Sequence, residues 1–267
     1  APITHMSGTE GNEAVLQREE VATGRGTIAV PFLSGNAIRH RAVRDPGVRW
    51  LIDAYGLRGK LTTMQLNFLL HGGNLTGSTA HESMHVAGDL KRLWPLVKLI
   101  GGTLPNQIVP GRLDVWRGSL VCRENAPLVP EVAGTGLRSC IDLVGGYQYT
   151  RGDAKGSGIE TQEGILEDPS NLMIFAGQAV LRGALFIGGF VVRSSDIVDL
   201  GALLWSLREW QRSGCTIGGQ GARGHGRLRL QLVDFDDRLQ EEACQAYVSH
   251  AMQHAEEAVD FLRKAVA

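Results

Sequence analysis

Apolar positions recur along the chain with two different periods, and each period predicts an element. Residues 200–210 repeat at helical spacing within an amphipathic run over 196–212. Leu239, Cys244, Tyr247, Met252, Val259 and Leu262 carry the same period through 236–266, which predicts one long helix docked by its apolar face. Earlier, Leu90, Leu93, Trp94, Val97 and Ile100 stripe a helical segment over 79–100. Pro95 lies inside that segment and requires a kink or two helices, and Gly101-Gly102 ends it. Shorter helical pieces are predicted at 50–55 and 62–70, the second ended by Gly72-Gly73. Strand character marks 27–32, 111–121, 173–175, 184–187 and 190–192. Leu228-Arg229-Leu230-Gln231-Leu232 alternates strictly and predicts a strand with one apolar face. Residues 1–23 are polar and read as a strand end followed by a loop. Helices and strands interleave without a regular βαβ rhythm, so the expected class is α+β with a largely antiparallel sheet.

Composition narrows this picture modestly. The 267 residues suffice for one large domain or two small ones. The apolar share of 43% is ordinary for a globular protein, whereas 35 glycines are too many for a helical bundle. The net charge of −1 gives no global basic field, so any phosphate track must come from local arginine clusters. Cys122, Cys140, Cys215 and Cys244 are scattered, which argues against a zinc ribbon or disulfide framework and fits a reducing cytoplasm. No apolar run reaches the roughly 18 residues of a membrane span, and no signal-peptide pattern opens the chain. The chain starts at Ala1 rather than Met, so native residues are expected ahead of it.

Candidate chemistry concentrates in three places. Residues 217–230 interleave Gly218, Gly219, Gly221, Gly224 and Gly226 with Gln220, Arg223, His225 and Arg227. Glycine permits close backbone approach to a ligand or to another segment, and arginine offers a two-point grip on phosphate. The bland alternative is a glycine-rich turn with solvated arginines. Upstream, Ser34 or Asn36 can cap a helix whose first turns carry Arg39, His40 and Arg41, which suits an anion but also suits capping alone. Residues 137–170 are turn-rich and too long for an idle connection, so a projecting hairpin or flexible arm is expected. Its Tyr147 and Tyr149, near Arg151 and Lys155, suit base stacking with phosphate contact. His81-Glu82-Ser83-Met84-His85 matches the zinc-hydrolase pattern H-E-x-x-H, but the extended pattern's third histidine falls on Lys91. The pair then reads as polar helix residues.

Taken together, three stretches resemble one family. They are Val30-Pro31-Phe32-Leu33-Ser34-Gly35-Asn36-Ala37-Ile38-Arg39, the strand region at 171–193, and the loop and strand at 218–230. The chain resembles the repeat-associated mysterious proteins (RAMPs) that form the multicopy backbone of class 1 CRISPR effector complexes. The Ser34 to Arg41 wording is most similar to the type IV backbone subunit. The likeness spans nearly the whole chain in order, and the glycine-rich loop is its most specific part.

The resemblance implies a single RAMP domain over 1–267. Its parts would be a modified RRM-like (ferredoxin-like) palm, a helical insertion at 56–102 and a β-hairpin thumb at 137–170. It implies CRISPR RNA as ligand, further copies of the chain in a filament, other effector subunits and a complementary target nucleic acid as partners, and no membrane. Carried over by motif, Ser34, Asn36, Arg39 and Arg41 would grip phosphates. Gly218, Gly219, Arg223, His225 and Arg227 would line the same track. Backbone contacts of this kind make binding indifferent to guide sequence. RNA-cleaving relatives carry an aspartate in a loop where this chain reads Glu10-Gly11-Asn12-Glu13-Ala14. An amide at Asn12 cannot coordinate a metal as a carboxylate does. No catalytic residue, metal or cofactor is therefore expected, and metal-dependent RNA cleavage through this loop is the alternative.

Overall fold

The computed structural model describes every residue except 12, 25, 75–83, 105–106, 129–135, 152–159, 162–163, 166–172, 234 and 267, with the backbone alone at 151, 160, 161, 164, 165 and 173. The chain opens with β1 (Met6–Glu10), β2 (Glu13–Leu16), β3 (Arg18–Thr23) and β4 (Gly26–Leu33). The short α1 (Gly35–Ile38) continues through a π-helical stretch, Arg39–Arg44, into α2 (Asp45–Ala54), followed by α3 (Thr63–His71), α4 (Met84–Leu93) and α5 (Pro95–Ile100). Next come β5 (Gly102–Leu104), β6 (Gln107–Val109), β7 (Leu113–Val115), β8 (Gly118–Leu120) and β9 (Val144–Arg151). After them lie β10 (Glu160–Thr161), β11 (Gly164–Ile165), β12 (Met173–Val180), β13 (Phe186–Ile187) and β14 (Phe190–Val192). The chain closes with α6 (Ile197–Arg212), α7 (Asp237–Gln253) and α8 (Ala255–Ala265).

Contacts gather into two compact units. The first comprises Ala1–Leu33, Ser119–Ile187 and Gly218–Gly226. It is built from two four-stranded sheets, ordered β1-β2-β12-β9 and β13-β8-β4-β3. The β1–β2, β9–β12, β8–β13 and β3–β4 pairs are antiparallel, and β12 runs parallel to β2. The β9–β12 pair runs unbroken from Met173 opposite Arg151 to Val180 opposite Val144. Leu16, Val30, Leu120 and Val180 are among its buried apolar residues.

Residues 1–23 thus hold three strands where a strand end and loop were expected. The reason lies in their place in the sheets. β1 and β3 are edge strands, β1 is exposed throughout and β3 alternates exposed with half-buried positions. Edge strands with polar outer faces give little apolar period to read.

The second unit comprises Ser34–Gly118, Gly188–Ile217 and Arg227–Ala267. Its helices pack with a β5–β6 hairpin and a β7–β14 pair. Leu204, Ala243 and Cys244 form a buried cluster between α6 and α7. Fully buried Trp94 donates its indole N–H to the Ala258 carbonyl at 3.1 Å. Pro95 divides α4 from α5 as its position required. The long C-terminal helix is broken in two at His254, whose backbone leaves the helical region (φ −106, ψ 14). Residues 111–121 divide into β7 and β8, which join different sheets. Residues 228–232 are no strand: after one bridge between Thr216 and Arg227, the segment finds no sheet partner among the described residues. Its alternation nevertheless reads the faces correctly. Leu228, Leu230 and Leu232 are half-buried while Arg229 and Gln231 are exposed, and Leu232 packs on the α6–α7 cluster.

Candidate nucleic-acid interface

In the first unit, strand alternation puts Tyr147 and Tyr149 on one face of β9. Directly opposite them on β12 stand Gly177 and Phe175. A Cβ on Gly177 would lie 2.6 Å from Tyr147 Cζ, so only glycine lets the Tyr147 ring lie across the strand there. Tyr149 stacks on Phe175 with centroids 5.1 Å apart at 13°, and on Tyr147 at 6.2 Å and 4°. The Arg223 guanidinium lies 3.7 Å from the Tyr149 ring centroid. His225 meets Tyr147 edge-on at 5.0 Å. Beside this ladder runs a groove of ≈ 440 Å³ lined by Met6, Ser7, Tyr147, Tyr149, Phe175 and Gln220, among others. Burial first, then the neighbouring Tyr149, push the Tyr147 hydroxyl above its usual 10, so the ring presents itself neutral.

The glycine-rich loop carries Arg223 and His225 to this ladder, and its glycines serve the chain's own backbone. Gly218 has φ 77, and a Cβ there would sit 2.5 Å from the Thr4 carbonyl oxygen. The Gly219 N–H donates to that oxygen at 2.8 Å, and the buried Thr4 hydroxyl returns a bond to the Gly219 carbonyl at 2.8 Å. The Gly226 N–H donates to the Pro2 carbonyl. Between these stitches, Gly221–Arg223 make one 3-10 turn that lifts an exposed Arg223 outward. The N–H groups of Gly219 and Gly226 are therefore used inside the protein. What the loop offers outward is a guanidinium that also donates to the Gln220 side chain.

In the second unit, Ser34 caps α1 as expected, accepting from the Ala37 N–H at 3.2 Å. The wide π-helical turn that follows carries Arg39, His40, Arg41 and Arg44. Such turns are rare and often occur at functional sites. Arg41 and Asn36 are exposed, and Arg39 and His40 half-buried. Asn36, Arg39 and His40 line a cavity together with Arg44 and His71. Burial lowers the pKa of the Arg39 guanidinium below its ordinary value. Sequence reasoning missed Arg44 and His71. The signal for Arg44 was present in the run Arg39-His40-Arg41-Ala42-Val43-Arg44. His71 had none beyond its place before the Gly72-Gly73 break.

The remaining expected residues fall elsewhere. Arg227 is exposed at the bridge to Thr216 in the second unit. Arg151 ends β9, and Lys155 lies outside the described residues, as do Asn12, His81 and Glu82. His85 is exposed on α4, and Glu13 is exposed at the start of β2. Among the described residues, no group of three His, Cys, Asp or Glu side chains is placed to hold a metal, and no helix is long and apolar enough to cross a membrane.

The elements define an α+β protein of antiparallel sheets and packed helices, consistent with the RRM-like palm expected. This fold is shared with a solved chain of a type IV-B CRISPR complex, at a TM-score of 0.60 and 16% identity over 88% of this chain and 91% of that one. Csc2 of Thermofilum pendens is a looser match, at a TM-score of 0.37 and 14% identity over 100% of this chain and 76% of that one, and carries no argument. No family model and no curated protein matches the chain.

Proposed function

We propose that the protein is a non-catalytic, RNA-binding backbone subunit of a CRISPR effector complex, repeated along the guide RNA and presenting it for pairing. The observation that carries this reading is the Arg223–Tyr149–Phe175 ladder on an open sheet face. A base can stack on such a platform whatever its identity, and the adjacent guanidinium can take the neighbouring phosphate. The shared fold with a type IV-B CRISPR complex chain supports the setting. Within this reading, 1–267 is one RAMP domain, 56–102 the helical insertion and 137–170 the thumb. Tyr147, Tyr149, Arg151, Lys155, Gly218, Gly219, Arg223, His225 and Arg227 belong to the RNA-contacting set. So do Ser34, Asn36, Arg39, His40 and Arg41 of the second unit. Copies of the chain, other effector subunits and a complementary target are the proposed partners, in the cytoplasm.

The test is purification from cells that co-express the protein and a CRISPR array. The expected product is a particle many subunits in mass that contains a discrete short RNA. Phenol extraction with gel sizing and mass photometry read both quantities. A monomer free of nucleic acid, in the presence of the array and the other subunits of the locus, would refute the proposal. Incubating the particle with guide-complementary RNA and Mg²⁺ tests the non-catalytic part, which predicts no periodic cleavage.

A further inference from the structure

In the second unit, Arg39, His40, Arg44 and His71 converge on one cavity of ≈ 480 Å³. No carboxylate lies among its lining residues. Arg44 is only 8% exposed. Its guanidinium donates to two neutral groups, the carbonyls of Leu69 at 3.2 Å and Gly101 at 2.9 Å. These bonds fix the group in place without cancelling its charge, and among the described residues they use two of its five N–H donors. Burial first, then repulsion from Arg39, push Arg44 down to about 10. The Arg39 Nε is buried with no hydrogen-bond partner among the described residues. The His40 and His71 rings stack 5.9 Å apart at 21°. Asp45, whose charge reaches His40, is itself held by Arg49 at 2.8 Å.

Two guanidiniums gathered in a cavity with no carboxylate in its lining disfavour the folded state through burial and mutual repulsion. A bound oxyanion reverses both effects, and it supplies the acceptor that the Arg39 Nε lacks. We propose that this cavity binds a phosphoryl group, with Arg39 and Arg44 as two guanidinium arms and His40 and His71 as further contacts. The cavity falls within the roughly 300–1,000 Å³ of small-molecule pockets. The proposed carrier of the phosphoryl group is a nucleotide, either a free nucleoside monophosphate or an RNA chain. Arg39 and His40 also stand in the proposed RNA-contacting set, but the pocket needs only an anion and does not depend on guide binding.

The test uses the full-length protein freed of nucleic acid. Inorganic phosphate, AMP and adenosine are titrated separately, read by thermal shift and calorimetry. Phosphate and AMP are expected to bind saturably and raise Tm, while adenosine does neither. Arg39→Gln is expected to weaken AMP binding at least about tenfold, the loss of a charge-assisted contact. His71→Gln, which leaves the Arg44 anchors intact, should weaken it by a smaller factor. Circular dichroism and the unliganded Tm of each variant show that it is folded. A labelled oligouridine titration on the same preparations separates the two sources. Displacement of RNA by AMP, with RNA binding weakened in Arg39→Gln, assigns the pocket to an RNA phosphate. AMP binding that leaves RNA in place assigns it to a free nucleotide. Binding of AMP by protein that binds no RNA keeps the pocket and refutes the RNA-binding reading instead. Failure of the wild type to bind either phosphate or AMP overturns the pocket, as does unchanged AMP affinity in folded Arg39→Gln.

Discussion

Replacing Tyr149 with alanine probes the proposed interface at its centre. Tyr149 stacks on both Phe175 and Tyr147 and carries Arg223 on its face. Stacking of a base on an aromatic side chain contributes about 1–3 kcal/mol by alanine substitution. That corresponds to a loss of roughly 5- to 150-fold in RNA affinity. The perch of Arg223 goes as well, and an exposed cation–π contact adds about 0.5–1 kcal/mol. The fold should survive, because the cross-strand Tyr149–Phe175 pair contributes only about 0.2–1 kcal/mol against a typical 5–15 kcal/mol for a domain.

Salt dependence separates the two contributions. Each phosphate neutralised on single-stranded nucleic acid adds about 0.7 to the slope of log K against log salt. Arg223→Ala should therefore weaken binding and lower the slope by about that amount. Tyr149→Ala should weaken binding more than it changes the slope, and Tyr149→Phe, which keeps the ring, should bind nearly as the wild type. Fluorescence anisotropy with labelled oligouridine and oligoadenine at several salt concentrations measures all three. Wild-type affinity in Tyr149→Ala, or an equal loss in Tyr149→Phe, would refute the stacking argument.

Three further predictions concern the scaffold that holds these sites. A Cβ on Gly201 of α6 would lie 2.0 Å from the Ala243 carbonyl oxygen of α7. Gly201→Ala should thus destabilise by about 1–3 kcal/mol or more despite alanine's better helix propensity, and a urea midpoint at or above the wild type's would sink the packing argument. Lys98 Nζ lies 2.8 Å from the Asp199 carboxylate, whose side chain is 1% exposed. Among the described residues, Lys98→Met leaves that charge buried with the Ser194 hydroxyl as its side-chain partner and should cost about 3–5 kcal/mol, recovered in part by adding Asp199→Asn; a loss under about 1 kcal/mol in chemical denaturation contradicts it. Glu124 is opposed by burial, but hydrogen bonds from the Ser139 hydroxyl and the Cys140 N–H outweigh it and hold the carboxyl at about 2, below its usual 4.5. Its folded value is depressed, so its stabilisation is full above about pH 4.5 and disappears as pH falls towards about 2. The Tm advantage of wild type over Glu124→Gln should shrink across that window, and a pH-independent difference would show that the carboxylate is not the cause.

The sequence made legible what depends on neighbours a few residues away. The period of α6, the division at Pro95 and the Ser34 cap follow from local sterics and hydrogen bonding. Tyr147, Tyr149 and Arg223 stand out in the sequence by their chemistry, and the first unit brings all three together. Pairing was not legible, because it joins residues far apart in the chain. Phe175 completes the ladder only through the β9–β12 register, and no periodicity in either strand specifies that register. The same limit explains the segment at 228–232. Alternation fixes which side chains face inward, but a strand also needs a free sheet edge, and here the apolar face settles on helices instead.

The glycine-rich loop sharpens the point. Glycine marks a place where something must come close to the backbone, and the sequence cannot say whether that is a ligand or another part of the chain. At Gly218 and Gly219 it is Thr4, at the opposite end of the sequence. That closure has a consequence for function, because it holds the loop's backbone against the N-terminal segment in the same unit that carries the tyrosines. Arg223 is thereby delivered to the Tyr149 face by a short 3-10 turn, and a preorganised cation loses less on meeting a phosphate than one that must be ordered first. In the proposed RNA-binding role, the glycines act through the position of the arginine rather than through the Gly219 and Gly226 N–H groups, which bond within the chain.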